Sequence, residues 1–298
     1  MLTSFSQLHE LAKKSSRKKI VLAAAQDENA LEAVSNAYKA GIIDAILVGN
    51  EEKIKAIASK KAIDISRMRI IDENDVDKAA ALAVRLVRDK EADILMKGNL
   101  TTANLLHAVL NKEWGLRSGE LLSHLALFQL PTYHKIIALT DAAMNIAPDF
   151  AEKVAIIKNA VEYLSKLGIN NPKVAILAAV ETVNEGMPAT MEAAALAKMG
   201  DRGQIKNCII DGPLAFDNAV DKHSAEHKGI ISKVAGDADL IVGSDIEASN
   251  ALYKSFIFFA KAQCAAVIVG AKAPIVLTSR ADTEETKLNS IALAAAIN

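Results

Sequence analysis

The sequence predicts an α/β protein of two lobes with mostly parallel sheets. Three observations point there. Strand-like runs of β-branched and aliphatic residues alternate with helical patterns along nearly the whole chain, the mark of right-handed βαβ units on a parallel sheet. A length of 298 residues favours about two domains. One tight pair of strands near the middle interrupts the alternation, as happens where two lobes meet.

The run KIVLAAA (19–25) reads as the first strand. Asn29 to Ala40 follows as an amphipathic helix, and Gly41 is its stop signal. Next come the strand DAILVGN (44–50), a Lys-rich helix over 51–60, a short strand at 68–72, a long helix at 75–90 and the strand ADILMKG (92–98). The runs HLALFQL (124–130) and KIIALTD (135–141) are joined only by Pro131–His134, and so short a connection makes an antiparallel pair. Alternation then resumes: a helix at 149–167, a strand at 173–179, and a helix at 188–199 that Pro188 opens. A strand at 207–212, a helical stretch over 222–234, a strand at 238–244 and a helix at 246–263 follow. Strands at 265–270 and 274–279 and a helix from about Glu284 close the chain. The expected division is a discontinuous first domain, 1–138 with 279–298, and a second domain over 139–278. No repeat at solenoid periods is present.

Composition narrows the function classes. Hydrophobic residues make up 51% of the chain and the net charge is −1, so there is core material and no basic footprint for nucleic acid. Cys208 and Cys264 lack CxxC spacing and read as buried free thiols of a reducing compartment. Phe5, Leu8, Leu11 and Ala12 keep helical spacing and precede a basic cluster, the reverse of a secretory leader. No uncharged apolar run reaches the roughly 20 residues that span a bilayer. The expectation is a cytoplasmic protein with no membrane partner.

The chemistry-bearing residues gather after strands. In PIVLTSRAD (274–282) a buried strand delivers Thr278, Ser279 and Arg280 to its carboxyl end, where open α/β sheets bind ligands. A hydroxyl beside a planar guanidinium fork suits a tetrahedral oxyanion. In MKGNLTT (96–102) Lys97 supplies a cation, Gly98 lets the chain turn beside Asn99, and Thr101 or Thr102 can cap a helix whose free N–H groups favour anions. An ordinary capped turn reads equally well there. Arg117 sits between two glycines as an anion contact or a solvated charge. His124 begins a strand, where a structural donor is the commoner role. Asp141 and Asn145 follow a strand and serve either a site or a turn. Glu181 lies at another carboxyl strand end. Asp211-Gly212-Pro213 is a turn signal, with Leu214 and Phe216 after it as core or acyl-pocket residues. Asp245 can cap the helix that carries Ser249 and Asn250. His223 and His227 have helical i,i+4 spacing, but no further ligand joins them and no metal site is expected. The spacings of a Walker loop, a GxGxxG turn and a GxSxG elbow are absent.

In order and spacing, MKGNLTT, GLRSGELLSH, LTDAAMN, IIDGPLAFDNAV, HKGI (227–230), SDIEASN and GAKAPIVLTSRAD resemble the phosphate acetyl/butyryl transferase family, from about residue 15 to the end. The resemblance implies that acyl-CoA and inorganic phosphate exchange with acyl phosphate and CoA, butanoyl being the expected acyl group. It also implies two lobes like those of isocitrate and isopropylmalate dehydrogenases, with the site in the cleft between them, and a homo-oligomer, at least a dimer. Coenzyme A is then substrate or product, and no permanently bound cofactor is implied. Ser279 and Arg280 match the pair that acetyl-transferring members place near the carbonyl and phosphate. Those members carry an Asp seven residues beyond the Ser; here that place holds Thr286, with Asp282, Glu284 and Glu285 nearby. The expected path is direct transfer in a ternary complex. The rival readings are a phosphate acetyltransferase of the same family, a metal- and nicotinamide-dependent dehydrogenase of the same two-lobe fold, and a non-catalytic binder of CoA or phosphate.

Overall fold

The structure is a computed structural model, and it describes residues 2–279 and 282–297. The first half of the chain runs α1 (Phe5–Lys14), β1 (Lys18–Ala23), α2 (Glu28–Lys39), β2 (Ile43–Gly49), α3 (Glu51–Lys60), β3 (Arg69–Asp72), α4 (Val76–Arg88), β4 (Ile94–Lys97), α5 (Thr102–Val109), β5 (Ser123–Gln129) and β6 (Ile137–Thr140). It continues with α6 (Phe150–Lys166), β7 (Lys173–Leu177), α7 (Pro188–Asp201), β8 (Ile209–Leu214), α8 (Phe216–Val220), α9 (Lys222–His227), β9 (Leu240–Val242), α10 (Ile246–Phe258), β10 (Gln263–Val269), β11 (Ile275–Val276) and α11 (Glu284–Ala295). Among the described residues no helix is long and apolar enough to cross a membrane.

Contacts divide the chain into two compact units. One comprises residues 5–120 and 265–298. Its strands lie in the order β3-β2-β1-β4-β11-β10. The pairs β2–β3, β1–β2, β1–β4 and β4–β11 are parallel, and β10–β11 is antiparallel. The central strands are buried on both faces, which is why β1 and β4 read as unbroken apolar runs. Ala79, Ala80 and Ala83 on the buried face of α4 let that helix lie close to the sheet. α11 packs on α1 and α2.

The other unit comprises residues 1–4 and 121–264. Its strand order is β5-β6-β9-β7-β8. β5 and β6 form the expected antiparallel pair, with Leu127 opposite Ala138, and the remaining pairs are parallel. Asp149 and Glu152 make a capping box that starts α6. Phe128 is fully buried, with Tyr253 and Phe256 set edge-on to it at 5.3 and 5.0 Å.

Four sequence expectations need correction. Only Lys222–His227 of the stretch 222–234 is helical, as α9; a separate short helix, α8, precedes it, and Asp221 is the C-cap of α8 and the N-cap of α9. The helix from 246 ends at Phe258, not 263, because Lys261 takes a positive φ of 51° and the chain reverses into β10. The strand read over 274–279 has only Ile275 and Val276 in the ladder. Asp211-Gly212-Pro213 is not a turn but part of β8, the outermost strand of its unit, where a proline costs no ladder bond. Contacts part the chain at 120/121 and 264/265, whereas the sequence divides it at 138/139 and 278/279. Pairing of β5 with β6 accounts for the first offset, since it keeps the hairpin strands together.

Candidate active site

β4 and β11 run parallel with Val276 beside Met96, so the residues that follow both strands emerge at one end of the sheet. Lys97–Thr101 follow β4, and Leu277–Ser279 follow β11. β1 flanks β4 on its other side, with Ala23 beside Lys97. The turn after β4 is laid on the end of β1: the Gly98 N–H donates to Ala23 O at 2.9 Å and the Asn99 N–H to Ala24 O at 2.8 Å. A Cβ at residue 98 would stand 2.3 Å from Ala24 O, so only glycine permits this approach. Thr101 then caps α5, its hydroxyl accepting from Asn104 N at 3.1 Å. Thr101 and Thr102 are exposed at the head of this helix, whose first N–H groups and dipole favour an anion.

Lys97 is only 6% exposed, and its Nζ donates to Leu100 O at 3.0 Å and Gly98 O at 3.3 Å. The ammonium closes its own turn and leaves a positive charge beneath it. Ser279 is exposed, and its N–H donates to the Asp282 carboxylate at 2.7 Å. Its carbonyl accepts from Asp282 N at 3.2 Å and from Lys287 Nζ at 2.9 Å. Arg280 lies outside the described residues. Thr278 is buried, and its hydroxyl has no hydrogen-bond partner among the described residues. The same holds for Oε1 of Gln26, which follows β1 at this end. Buried polar atoms nearly always have partners, so two such atoms at one end of a sheet mark a place for a polar ligand or water.

The main chain of Arg117, of the same unit, lies elsewhere. It bridges to Ala271 in the turn ahead of β11, whereas Ser279 follows β11. The second unit has its own group. Asp141 is buried after β6, and its carboxylate accepts from the N–H groups of Ala143 and Met144 at 2.9 and 3.0 Å and from Asn145 Nδ2 at 2.6 Å. Asn145 also donates to Leu122 O, and Asn250 to Ala142 O, each at 2.9 Å. These bonds staple the loop after β6 to the first turns of α10, which Asp245 caps through Ala248 N. β6, β9 and β7 are parallel, so this loop, Gly243–Asp245 and Ala178–Glu181 share the carboxyl end of their sheet. A cavity of about 380 Å³ lies there, lined by Leu177, Ala189, Ala248, Ser249 and Leu252 among others.

Glu181 accepts from Lys228 Nζ at 3.2 Å and Asn218 Nδ2 at 3.3 Å. Its own main-chain N–H and Lys228 hold its carboxyl below the usual range. Asp211 and Gly212 sit within β8, where a Cβ on Gly212 would come 2.8 Å from Ile176 Cβ; the Gly212–Pro213 bond is cis. His124 is buried with its ring 5.8 Å from that of Tyr253, a packed position. His223 and His227 stack at 6.2 Å on α9, and no group of three His, Cys, Asp or Glu that could hold a metal occurs among the described residues.

Sequence reasoning passed over Gln26 and Lys287. Gln26 follows the apolar run KIVLAAA directly and precedes a helix, so its place at a carboxyl strand end was the available signal. Lys287 is the single charged residue in KLNSIALAAA, a cation at the head of an otherwise apolar helical run.

The profile of the family described as phosphate acetyl/butaryl transferase matches residues 4–83 and 73–295. The chain is 47% identical over 297 residues to a phosphate butyryltransferase of Clostridium acetobutylicum, covering 100% of this chain and 99% of that one. With a probable phosphate butyryltransferase of Bacillus subtilis it shares 51% over 277 residues, or 93% of this chain and 92% of the relative. Among solved structures, a branched-chain phosphotransacylase from Enterococcus faecalis V583 superposes with a TM-score of 0.85 at 33% identity, covering 94% of this chain and 98% of that one. Matched in sequence and in fold along nearly its whole length, the chain belongs to the phosphate acetyl/butaryl transferase family.

Proposed function

We propose that the protein interconverts acyl-CoA plus inorganic phosphate with acyl phosphate plus CoA, with butanoyl as the acyl group, by direct transfer in a ternary complex. Family membership supports the reaction class. Within this molecule the reading is carried by the shared carboxyl end of β4 and β11, which brings the Lys97 turn, the head of α5 and Ser279 to one end of one sheet. The preference for butanoyl rests on the relatives, because one methylene in an apolar pocket discriminates by only ~1–3 kcal/mol.

In the forward direction a phosphate oxygen attacks the thioester carbonyl carbon. The C–O bond forms, the tetrahedral intermediate collapses, the C–S bond breaks, and the CoA thiolate leaves and takes up the proton that the hydrogen phosphate gives up. The protein's task is to hold phosphate against the carbonyl and to meet the charge that develops. Arg280, next to Ser279 in sequence, supplies the guanidinium fork. The free N–H groups of α5 and the buried Lys97 charge offset the phosphate. The Ser279 hydroxyl donates to the carbonyl oxygen as it gains charge. Phosphate is already an anion at neutral pH and needs no strong base to attack. Thr286 at the place of the relatives' Asp, where its hydroxyl accepts from Thr283 at 3.1 Å in the α11 cap, is compatible with that.

The cysteines support a path without an acyl-enzyme. Burial pushes the Cys208 thiol up to about 11, and Cys264 is fully buried with its Sγ 3.5 Å from the Tyr253 hydroxyl. A homo-oligomer in the cytoplasm belongs to the same reading, and light scattering and cell fractionation test it. The reaction itself is tested by thiol release across acyl-CoA lengths with and without phosphate. Release should require phosphate and be fastest near four carbons, with intersecting initial-rate patterns. Rapid exchange of label between CoA and acyl-CoA in the absence of phosphate would overturn the ternary-complex path.

A further inference from the structure

Lys287 is a lysine in the wrong place by every local rule. It stands in the first turns of α11, where the helix dipole disfavours a cation, and it is only 3% exposed. Burial pulls its pKa down, against the pull of Asp282 and Asp27. Among the described residues its hydrogen bonds go to main-chain carbonyls, Ser279 O at 2.9 Å and Asp282 O at 3.0 Å. Asp282 in turn binds the Ser279 N–H through its carboxylate and the Ser279 carbonyl through its own N–H. Ser279 is thus held at both its main-chain N–H and its carbonyl, and one of the groups that hold it is a buried ammonium. The Thr283 cap already satisfies the start of α11 without the lysine, its hydroxyl accepting from Thr286 N at 3.1 Å.

We propose that Lys287 is a positioning residue for the phosphate step, acting through Ser279: its two bonds fix the Ser279 main chain so that the hydroxyl keeps one orientation toward the reacting centre. The inference rests on the proposed acyl-CoA/phosphate reaction. A misplacement of about 1 Å at a reacting group can cost about 10²-fold in rate. Removing the ammonium takes the Lys287 bond from the Asp282 carbonyl and leaves the Ser279 carbonyl with only the 3.2 Å bond from the Asp282 N–H, a change of that kind.

The test is a double-mutant cycle with Lys287→Met and Ser279→Ala, read by phosphate-dependent thiol release from butanoyl-CoA. Lys287→Met alone should lower kcat/KM for phosphate about 10²-fold while the KM for butanoyl-CoA stays within about twofold. In the Ser279→Ala background the same change should add less than about threefold, because the residue it acts through is already lost. Full additivity, or a lowered Tm with wild-type kinetics in the folded enzyme, overturns the proposal. If Lys287→Met does not fold, Lys287→Gln, which keeps one donor on a shorter chain, should lose about tenfold; wild-type phosphate kinetics in that variant also overturn it. Wild-type protein that releases no thiol in response to phosphate would sink the reaction itself, an outcome distinct from additivity in an active enzyme.

Discussion

Arg280 and Ser279 carry the sharpest residue-scale expectation. Arg280→Ala should lower kcat/KM for phosphate by about 10²–10³, the usual loss when one donor to a developing charge is removed. Arg280→Lys should recover little, because an ammonium cannot reproduce a bidentate fork. Steady-state kinetics with varied phosphate measures both. Cys208→Ser should leave turnover at the wild-type level, since a thiol pushed up to about 11 is almost wholly protonated at neutral pH and makes a poor nucleophile; a large loss would reopen an acyl-enzyme route. Residue placements were legible where the signal was position in a strand–turn–helix unit, as for Lys97, Thr101 and Ser279. They were not legible where it was a partner. Sequence alone does not reveal that the main chain of Arg117 bridges ahead of β11, or that the carbonyl of Ser279 meets Lys287 eight residues on.

At the scale of elements, the turn between β4 and α5 is the part on which the site depends. Gly98→Ala would press a Cβ against the main-chain oxygen of Ala24 at 2.3 Å. The expected cost is about 1–3 kcal/mol with a shift of the whole turn, seen as a lowered Tm together with weakened phosphate use. Thr101→Ala removes the cap of α5 and should cost about 1 kcal/mol, and it also loosens the N–H groups offered to the anion. Element order was readable because periodicity changes cleanly between strand and helix, and the hairpin of β5 and β6 followed from a connection too short for a crossover. The failures have physical causes. Pro213 reads as a breaker, yet an outermost strand tolerates it. The apolar run at 274–279 reads as a strand throughout, yet the ladder holds only at Ile275 and Val276, and Leu277–Ser279 continue beyond it. That release from the ladder leaves Ser279 exposed after a buried strand.

The stability of the molecule should depend on acid pH through an ion cluster around the buried Lys135 in the unit of residues 121–264. Lys135, 3% exposed, lies 2.8 Å from Asp237 and 2.6 Å from Asp239, and Asp237 also meets Lys173 and His134. Burial raises the Asp237 carboxyl, but Lys135 and Lys173 outweigh burial and hold it well below the usual carboxylate range. A depressed acid contributes stability above its unfolded value, about 3.9, and loses it as pH falls. Asp237→Asn should therefore melt below wild type at pH 7, with the gap closing as pH falls below about 4; a gap that stays constant would contradict this role. The α/β class was legible from alternation, and the two lobes from chain length and the mid-chain hairpin, whereas the division of contacts at 120/121 and 264/265 depends on long-range packing that no local pattern carries. The account as a whole turns on an inorganic anion being used at the carboxyl end of β11, and thiol release from butanoyl-CoA, titrated with phosphate in wild type and Arg280→Ala, tests it most directly. Release should be absent without phosphate, saturate with it, and fall about 10²–10³-fold in the variant; release that ignores phosphate, or an unchanged variant, would contradict the account.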